Sequence, residues 1–178
     1  MLYGEDIELD IAKLNEEYLP FVQDFKCGND EIDKFLKHKA LEDTEIGRSI
    51  TRLFFTNQKE LVGYYSINCS ALVVENHNHR YFAPAIELKM FAIDNKYKHM
   101  QYSKDDKDYF LSDSLLSIVI KEIINITENV CGANNIILYS VPYTIDFYER
   151  NGFEPFKEYM ISNDDMFLDG CLPMLIRL

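Results

Sequence analysis

The chain has 178 residues, 47% of them apolar and 13% aromatic, enough for one domain with a packed core, which excludes disorder. Its 30 acidic against 18 basic side chains leave a net charge of −12, which disfavours nucleic acid, whose affinity comes largely from counterions displaced by a basic face. No apolar run reaches the roughly 18 residues that span a bilayer, the opening Met1–Asp10 lacks the pattern of a secretory signal, and four scattered cysteines without a CxxC pair suit reduced thiols in a cytoplasm.

Ile7, Leu9 and Ile11 alternate with Glu8 and Asp10, the period of a half-buried strand. A helix is predicted from Asp30 to Asp43, capped by Asn29 or Asp30, with Ile32, Phe35, Leu36, Ala40 and Leu41 on its apolar side. Ser49–Thr56 and Leu61–Ala71 read as strands around the turn at residues 57–60. His77–Arg80 reads as a polar loop and Pro84–Asp94 as a third strand. The strongest helix runs from Ser112, its predicted N-cap, to Asn129, with Leu115, Leu116, Val119, Ile120, Ile123 and Ile124 forming a wide apolar face and Gly132 just beyond its end. Asn135–Val141 is a short buried strand stopped by Pro142, Thr144–Asn151 a brief helix ended by Gly152, and Leu172–Leu178 a last strand. No repeat or linker interrupts this order, and a single domain over 1–178 is expected. The H-x-H spacing of His77 and His79 lacks a third ligand, and the acidic runs at 42–43 and 163–165 read as solvated turns. No G-x-S-x-G, Walker-type or G-x-G-x-x-G motif occurs, which removes the usual hydrolase, nucleotidase and dinucleotide-binding classes.

Three local patterns carry more than fold class. Phe25-Lys-Cys-Gly-Asn-Asp-Glu-Ile-Asp-Lys-Phe-Leu36 places a Cys-Gly turn before a capped helix whose Ile32, Phe35 and Leu36 face a sheet. Tyr143-Thr-Ile-Asp-Phe-Tyr-Glu-Arg-Asn-Gly-Phe153 ends a short helix on a glycine suited to a left-handed turn. Glu87-Leu-Lys-Met-Phe-Ala-Ile-Asp94 is a buried strand ending in an aspartate. Together with the element order, these resemble the GNAT-type N-acetyltransferases over nearly the whole chain. The first is similar to the F-x-C-G-x-x-x-[IL]-[DN]-x-[FW]-L opening of a subgroup that includes toxins acetylating aminoacyl-tRNA.

The resemblance implies an α/β (α+β) fold: a mixed, mostly antiparallel central sheet, splayed in the middle and flanked by helices. It implies a transferase that moves an acetyl group from acetyl-CoA to a primary amine by direct attack. Tyr148 would give the leaving thiolate its proton, as a phenol with an ordinary pKa near 10 can. Glu87, acting through water, would accept the proton of the amine. Phe91, Ala92 and Ile93 would offer backbone N–H and C=O groups to pantetheine, much as an added strand would receive them.

One family feature is missing. The glycine-rich diphosphate loop [RQ]-x-x-G-x-[GA] corresponds here to residues 95–112, which contain no glycine and are several residues too long. The predicted helix start keeps backbone N–H groups at Ser112, Asp113 and Ser114, and the helix dipole favours an anion there. Lys98, with Lys96, Lys104 and Lys107, would supply point charges in place of the nest, against Asp105, Asp106, Asp108 and Asp113. The acceptor amine stays open: a small molecule, a peptide or an aminoacyl-tRNA. In the aminoacyl-tRNA version the enzyme is a toxin blocked by a ribbon–helix–helix antitoxin, although the net charge argues against tRNA. A homodimer stays open as well. The rival from another class is a non-catalytic binding or scaffold protein with a degenerate CoA site.

Overall fold

The computed structural model describes residues 3–76, 79–156 and 170–178. Its elements run β1 (Leu9–Lys13), α1 (Leu19–Val22), α2 (Asp30–His38), α3 (Ala40–Glu45), β2 (Ile50–Thr56), β3 (Leu61–Asn76), β4 (His79–Ile93), α4 (Leu111–Asn129), β5 (Asn135–Ser140), α5 (Ile145–Arg150), β6 (Glu154–Pro155) and β7 (Leu172–Arg177). The strands form one mixed seven-stranded sheet in the order β1-β2-β3-β4-β5-β7-β6, flanked by helices. β1 and β2 pair antiparallel, as do β2 and β3, while β4 and β5 run parallel. The β4–β5 ladder consists of Ile86 opposite Ile136 and Glu87 opposite Ile137, and no further pair follows. That is the splay expected in mid-sheet.

The chain groups into two compact units, residues 1–67 with 90–119, and residues 68–89 with 120–178. The first unit packs α2 against β3. Tyr64 lies edge-on to Phe25 and stacked on Phe35, and its hydroxyl donates to the Ile32 carbonyl at 2.8 Å. Leu111, Leu115, Leu116 and Val119 of α4 are fully buried in this unit. Gly63 permits a close strand approach: a Cβ there would stand 2.5 Å from the Ala92 carbonyl oxygen. In the second unit Leu72, Ala85, Ile137 and Leu175 form a buried cluster, with Ala83 and Phe156 against it.

Four expectations change. The helix predicted over 30–43 is two helices, because Lys39 leaves the helical region at φ −120°; Asn29 is its cap, accepting from the N–H groups of Glu31 and Ile32. Of the loop expected at 77–80, His79 and Arg80 open β4; positions 77 and 78 lie outside the described residues, so the H-x-H pair is not described as a whole. Asp43 is buried rather than solvated, 3.8 Å from the Arg48 guanidinium, while residues 163–165 lie outside the described residues. The fourth concerns the start of α4, taken up below. Among the described residues no helix is long and apolar enough to cross a membrane.

Candidate active site

In the first unit, the segment after β4 turns at once. The Asp94 carboxylate accepts the N–H of Lys26 at 3.0 Å and that of Lys96 at 3.0 Å, and the Asn95 N–H donates to the Lys26 carbonyl at 2.8 Å. The Cys-Gly turn docks on this corner. Gly28 sits at φ +84°, and a Cβ there would approach Asn95 Oδ1 to 3.4 Å. Asp33, buried on α2, accepts the Cys27 N–H at 2.9 Å. The opening motif therefore anchors the post-β4 turn through Asp94 and Asn95, while Asp33 holds the Cys27 turn itself, roles that sequence reading missed.

Residues 101–110 are a small antiparallel ribbon rather than a phosphate nest. Gln101 bridges Phe110, the Tyr102 N–H donates to the Tyr109 carbonyl, and the two tyrosine rings meet edge-to-face at 5.4 Å. The N–H groups of Gly4 and Glu5 donate to the carbonyls of Gln101 and Tyr102. The extra length of the loop is thus folded into a ribbon, with Lys104, Asp105, Asp106, Lys107 and Asp108 exposed at its tip.

The start of α4 corrects the sequence expectation. The helix begins at Leu111, and the cap is made by Asp113, not by Ser112. The buried Asp113 carboxylate reaches back to accept the Phe110 N–H at 2.9 Å, the N3 half of a capping box. The N–H groups of Asp113 and Ser114 both donate to the Phe110 carbonyl, and that of Leu111 to the Met100 carbonyl. Of the three amides proposed for phosphate, Asp113 and Ser114 are therefore engaged within the fold, which leaves Ser112. Two of the lysines are engaged as well: Lys98 Nζ donates to the Cys27 carbonyl at 3.2 Å, and Lys96 pairs with Glu60 at 2.5 Å. Glu60 also accepts from the Tyr97 hydroxyl. Close by, a cavity of about 430 Å³ is lined by Tyr3, Asn95, Lys96, His99, Gln101 and Phe110. On β4, Ala92 and Ile93 are buried and Phe91 is half-buried.

Glu87 and Tyr148 belong to the second unit. Glu87 is buried on β4 and accepts from Asn68 Nδ2 at 3.1 Å. Burial pushes its carboxyl above the usual range, while the Asn68 hydrogen bond and the Lys89 charge act in the opposite direction. The ladder between β4 and β5 ends at Glu87 and Ile137.

Tyr148 is buried on α5, edge-on to Phe147 at 5.1 Å and Phe153 at 5.5 Å. Phe147 is half-buried beneath the Arg150 guanidinium. A closing motif ends α5. Gly152 lies at φ +89°, its N–H donates to Glu149, and the Phe153 N–H donates to Tyr148. Burial raises the Tyr148 phenol above its ordinary value, where an unperturbed one was expected. It remains protonated at neutral pH, a weaker acid than a solvated phenol but one that still holds a proton to give.

No protein-family model matches the chain, and no curated protein sequence matches it. Solved structures do. A bacterial toxin is 19% identical, with a TM-score of 0.72, over 96% of this chain and 91% of that one. A tyrosine-to-phenylalanine mutant of the AtaT toxin is 14% identical at TM-score 0.73, over 99% and 93% of the two chains. AtaT complexed with acetyl-methionyl-tRNAfMet is 16% identical at TM-score 0.69, over 96% and 95%. The chain has the GNAT fold of these toxins over nearly its whole length.

Proposed function

We propose that this protein is an acetyl-CoA-dependent N-acetyltransferase whose acceptor is the α-amine of an aminoacyl-tRNA. The observation that carries the reading is the full-length likeness to AtaT, one structure of which holds acetyl-methionyl-tRNAfMet and another acetyl-CoA with the C-terminus of the antitoxin AtaR. It favours the tRNA acceptor over the small-amine acceptor, despite the net charge of −12. By the same likeness, a protein antitoxin is the proposed inhibitory partner.

In this reading the amides of pantetheine bond the β4 backbone at Phe91, Ala92 and Ile93. The diphosphate end rests on the Ser112 N–H and on Lys104 and Lys107, the lysines not already bonded within the corner. Glu87 takes one proton from the substrate ammonium; the neutral amine attacks the acetyl carbon, the C–S bond breaks, Tyr148 protonates the departing sulfur, and the second proton that nitrogen sheds on becoming an amide returns through solvent to the phenolate. Burial raises the proton affinity of Glu87 as the base; it also keeps Tyr148 protonated at neutral pH, at the cost of making its phenol the weaker acid.

The experiment is acetylation of a panel of charged tRNAs with radiolabelled acetyl-CoA. Tyr148→Phe should lower kcat by about 10²-fold or more with acetyl-CoA affinity unchanged. An unchanged rate removes Tyr148 as the acid. One observation favours a second reading, a non-catalytic binding protein: the amides of Asp113 and Ser114 are already bonded inside the fold. Calorimetric titration with acetyl-CoA separates the two, micromolar binding supporting the enzyme and silence at millimolar ligand the binding protein.

A further inference from the structure

Among the described residues of the second unit, Glu87 is the one buried carboxyl. The groups that face it come from three strands. Asn68 of β3 donates Nδ2 to it at 3.1 Å, Lys89 follows two residues along β4, and Tyr139 of β5 stands two residues past Ile137, the ladder partner of Glu87. Asn68 is unbalanced. Its Nδ2 is engaged, but its Oδ1 is buried with no hydrogen-bond partner. A buried carbonyl oxygen left without a donor is costly, and native folds rarely keep one without a use.

The orphan oxygen belongs to the same amide whose Nδ2 bonds the Glu87 carboxylate, so the pair brings two acceptors to one place in the fold. The group that complements two acceptors is a cation with several donors and no lone pair to repel them, and a primary ammonium has three N–H donors. We propose that Asn68 is a positioning residue on the acceptor side of the reaction: its Nδ2 orients the Glu87 carboxylate, and its Oδ1 receives an N–H of the incoming primary ammonium. The inference rests on the acetyl-transfer reading above.

The step balances. One ammonium N–H bonds to Asn68 Oδ1 and a second to Glu87. The second N–H breaks, its proton joining the carboxylate oxygen and its electron pair staying on nitrogen. The neutral amine, still held through Oδ1, then presents that pair to the acetyl carbon. Asn68 acts before the transfer, its donor holding the carboxylate ionised and its acceptor holding the ammonium beside it.

Two measurements on the full chain test this. In protein labelled with ¹³C at the glutamate carboxyl carbons, with the Glu87 resonance assigned through Glu87→Gln, Asn68→Ala should raise the Glu87 titration midpoint by about one pH unit. In steady-state acetylation of methionyl-tRNAfMet, the acidic limb of kcat/KM should move up by the same amount. KM for the tRNA should rise about tenfold and acetyl-CoA affinity stay constant. If Asn68→Ala does not fold, the isosteric Asn68→Asp carries the same titration and should move the midpoint further, because it adds a like charge. A midpoint and limb that stay within about 0.3 pH unit of the wild type overturn the proposal. Wild-type protein that binds acetyl-CoA yet acetylates no charged tRNA defeats the acceptor reading instead; the titration alone then decides whether Asn68 orients Glu87.

Discussion

Asp113 offers the sharpest test of the remodelled helix start. Its carboxylate is 2% exposed and accepts the Phe110 N–H at 2.9 Å at the positive end of a 19-residue helix. Asp113→Ala removes a charge-assisted bond and leaves the Phe110 amide short of an acceptor. Caps contribute about 1 kcal/mol and hydrogen bonds to charged groups about 1.5–3 kcal/mol, so a loss near 2 kcal/mol is expected. For a chain of this size that lowers Tm by roughly 4–8 °C. Asp113→Asn keeps an acceptor and loses only the attraction of charge to dipole, about 0.5–1 kcal/mol. The same charge opposes the proposed diphosphate: at about 6 Å in water-like dielectric the repulsion is roughly 0.7 kcal/mol, and more where water is excluded. Asp113→Asn should therefore bind acetyl-CoA at least about threefold tighter while melting only slightly below the wild type. Urea unfolding and calorimetric titration of the three proteins measure both effects. Equal stability of Asp113→Ala and the wild type would refute the capping role, and weaker binding by Asp113→Asn would refute the electrostatic one.

Gly63→Ala should destabilise the fold by about 1–3 kcal/mol in urea unfolding, because the added methyl meets the Ala92 carbonyl oxygen, backbone that cannot step aside. The Cys27 thiol, pushed up to about 12 by burial and by its hydrogen bond to Asp33, carries a thiolate fraction on the order of one in 10⁴ at pH 8. A disulfide reagent at that pH should label exposed Cys69 in the native protein and reach Cys27 only on unfolding; prompt labelling of Cys27 would contradict its burial. Because the native Glu87 carboxyl holds its proton more tightly than the unfolded one, stability should fall as pH rises from the unfolded carboxyl value of about 4.3 through the folded value. Glu87→Gln should remove that slope, raising the urea midpoint relative to the wild type near neutral pH and losing the advantage below pH of about 4.

Local pattern was enough to place most elements. The apolar spacing of Leu115, Leu116, Val119 and Ile123 specifies a helix buried along a wide face, and Gly152 ends α5 where its left-handed φ of +89° is required. Asn29 caps α2 through the amides two and three residues on, a bond readable from the sequence because both partners lie within one turn. What escaped sequence reading depends on partners distant along the chain or on backbone groups that carry no residue identity. Asp113 caps α4 because its acceptor meets the amide of Phe110, and any residue could supply that amide. The excess length of the loop after β4 becomes a ribbon through backbone bonds between Gln101, Tyr102, Tyr109 and Phe110, which leave no side-chain signature.

Composition and periodicity by themselves determined that this chain forms a mixed α/β sheet with one long buried helix, since hydrophobic spacing acts within a few residues and needs no distant partner. Tertiary structure alone decided which polar groups remain available. Lys98 is drawn to a carbonyl 71 residues away, and Asn68 meets Glu87 across a separation of 19. Hydrogen bonds saturate, so whether a lysine or an amide still has a donor to offer depends on what the completed fold sets beside it.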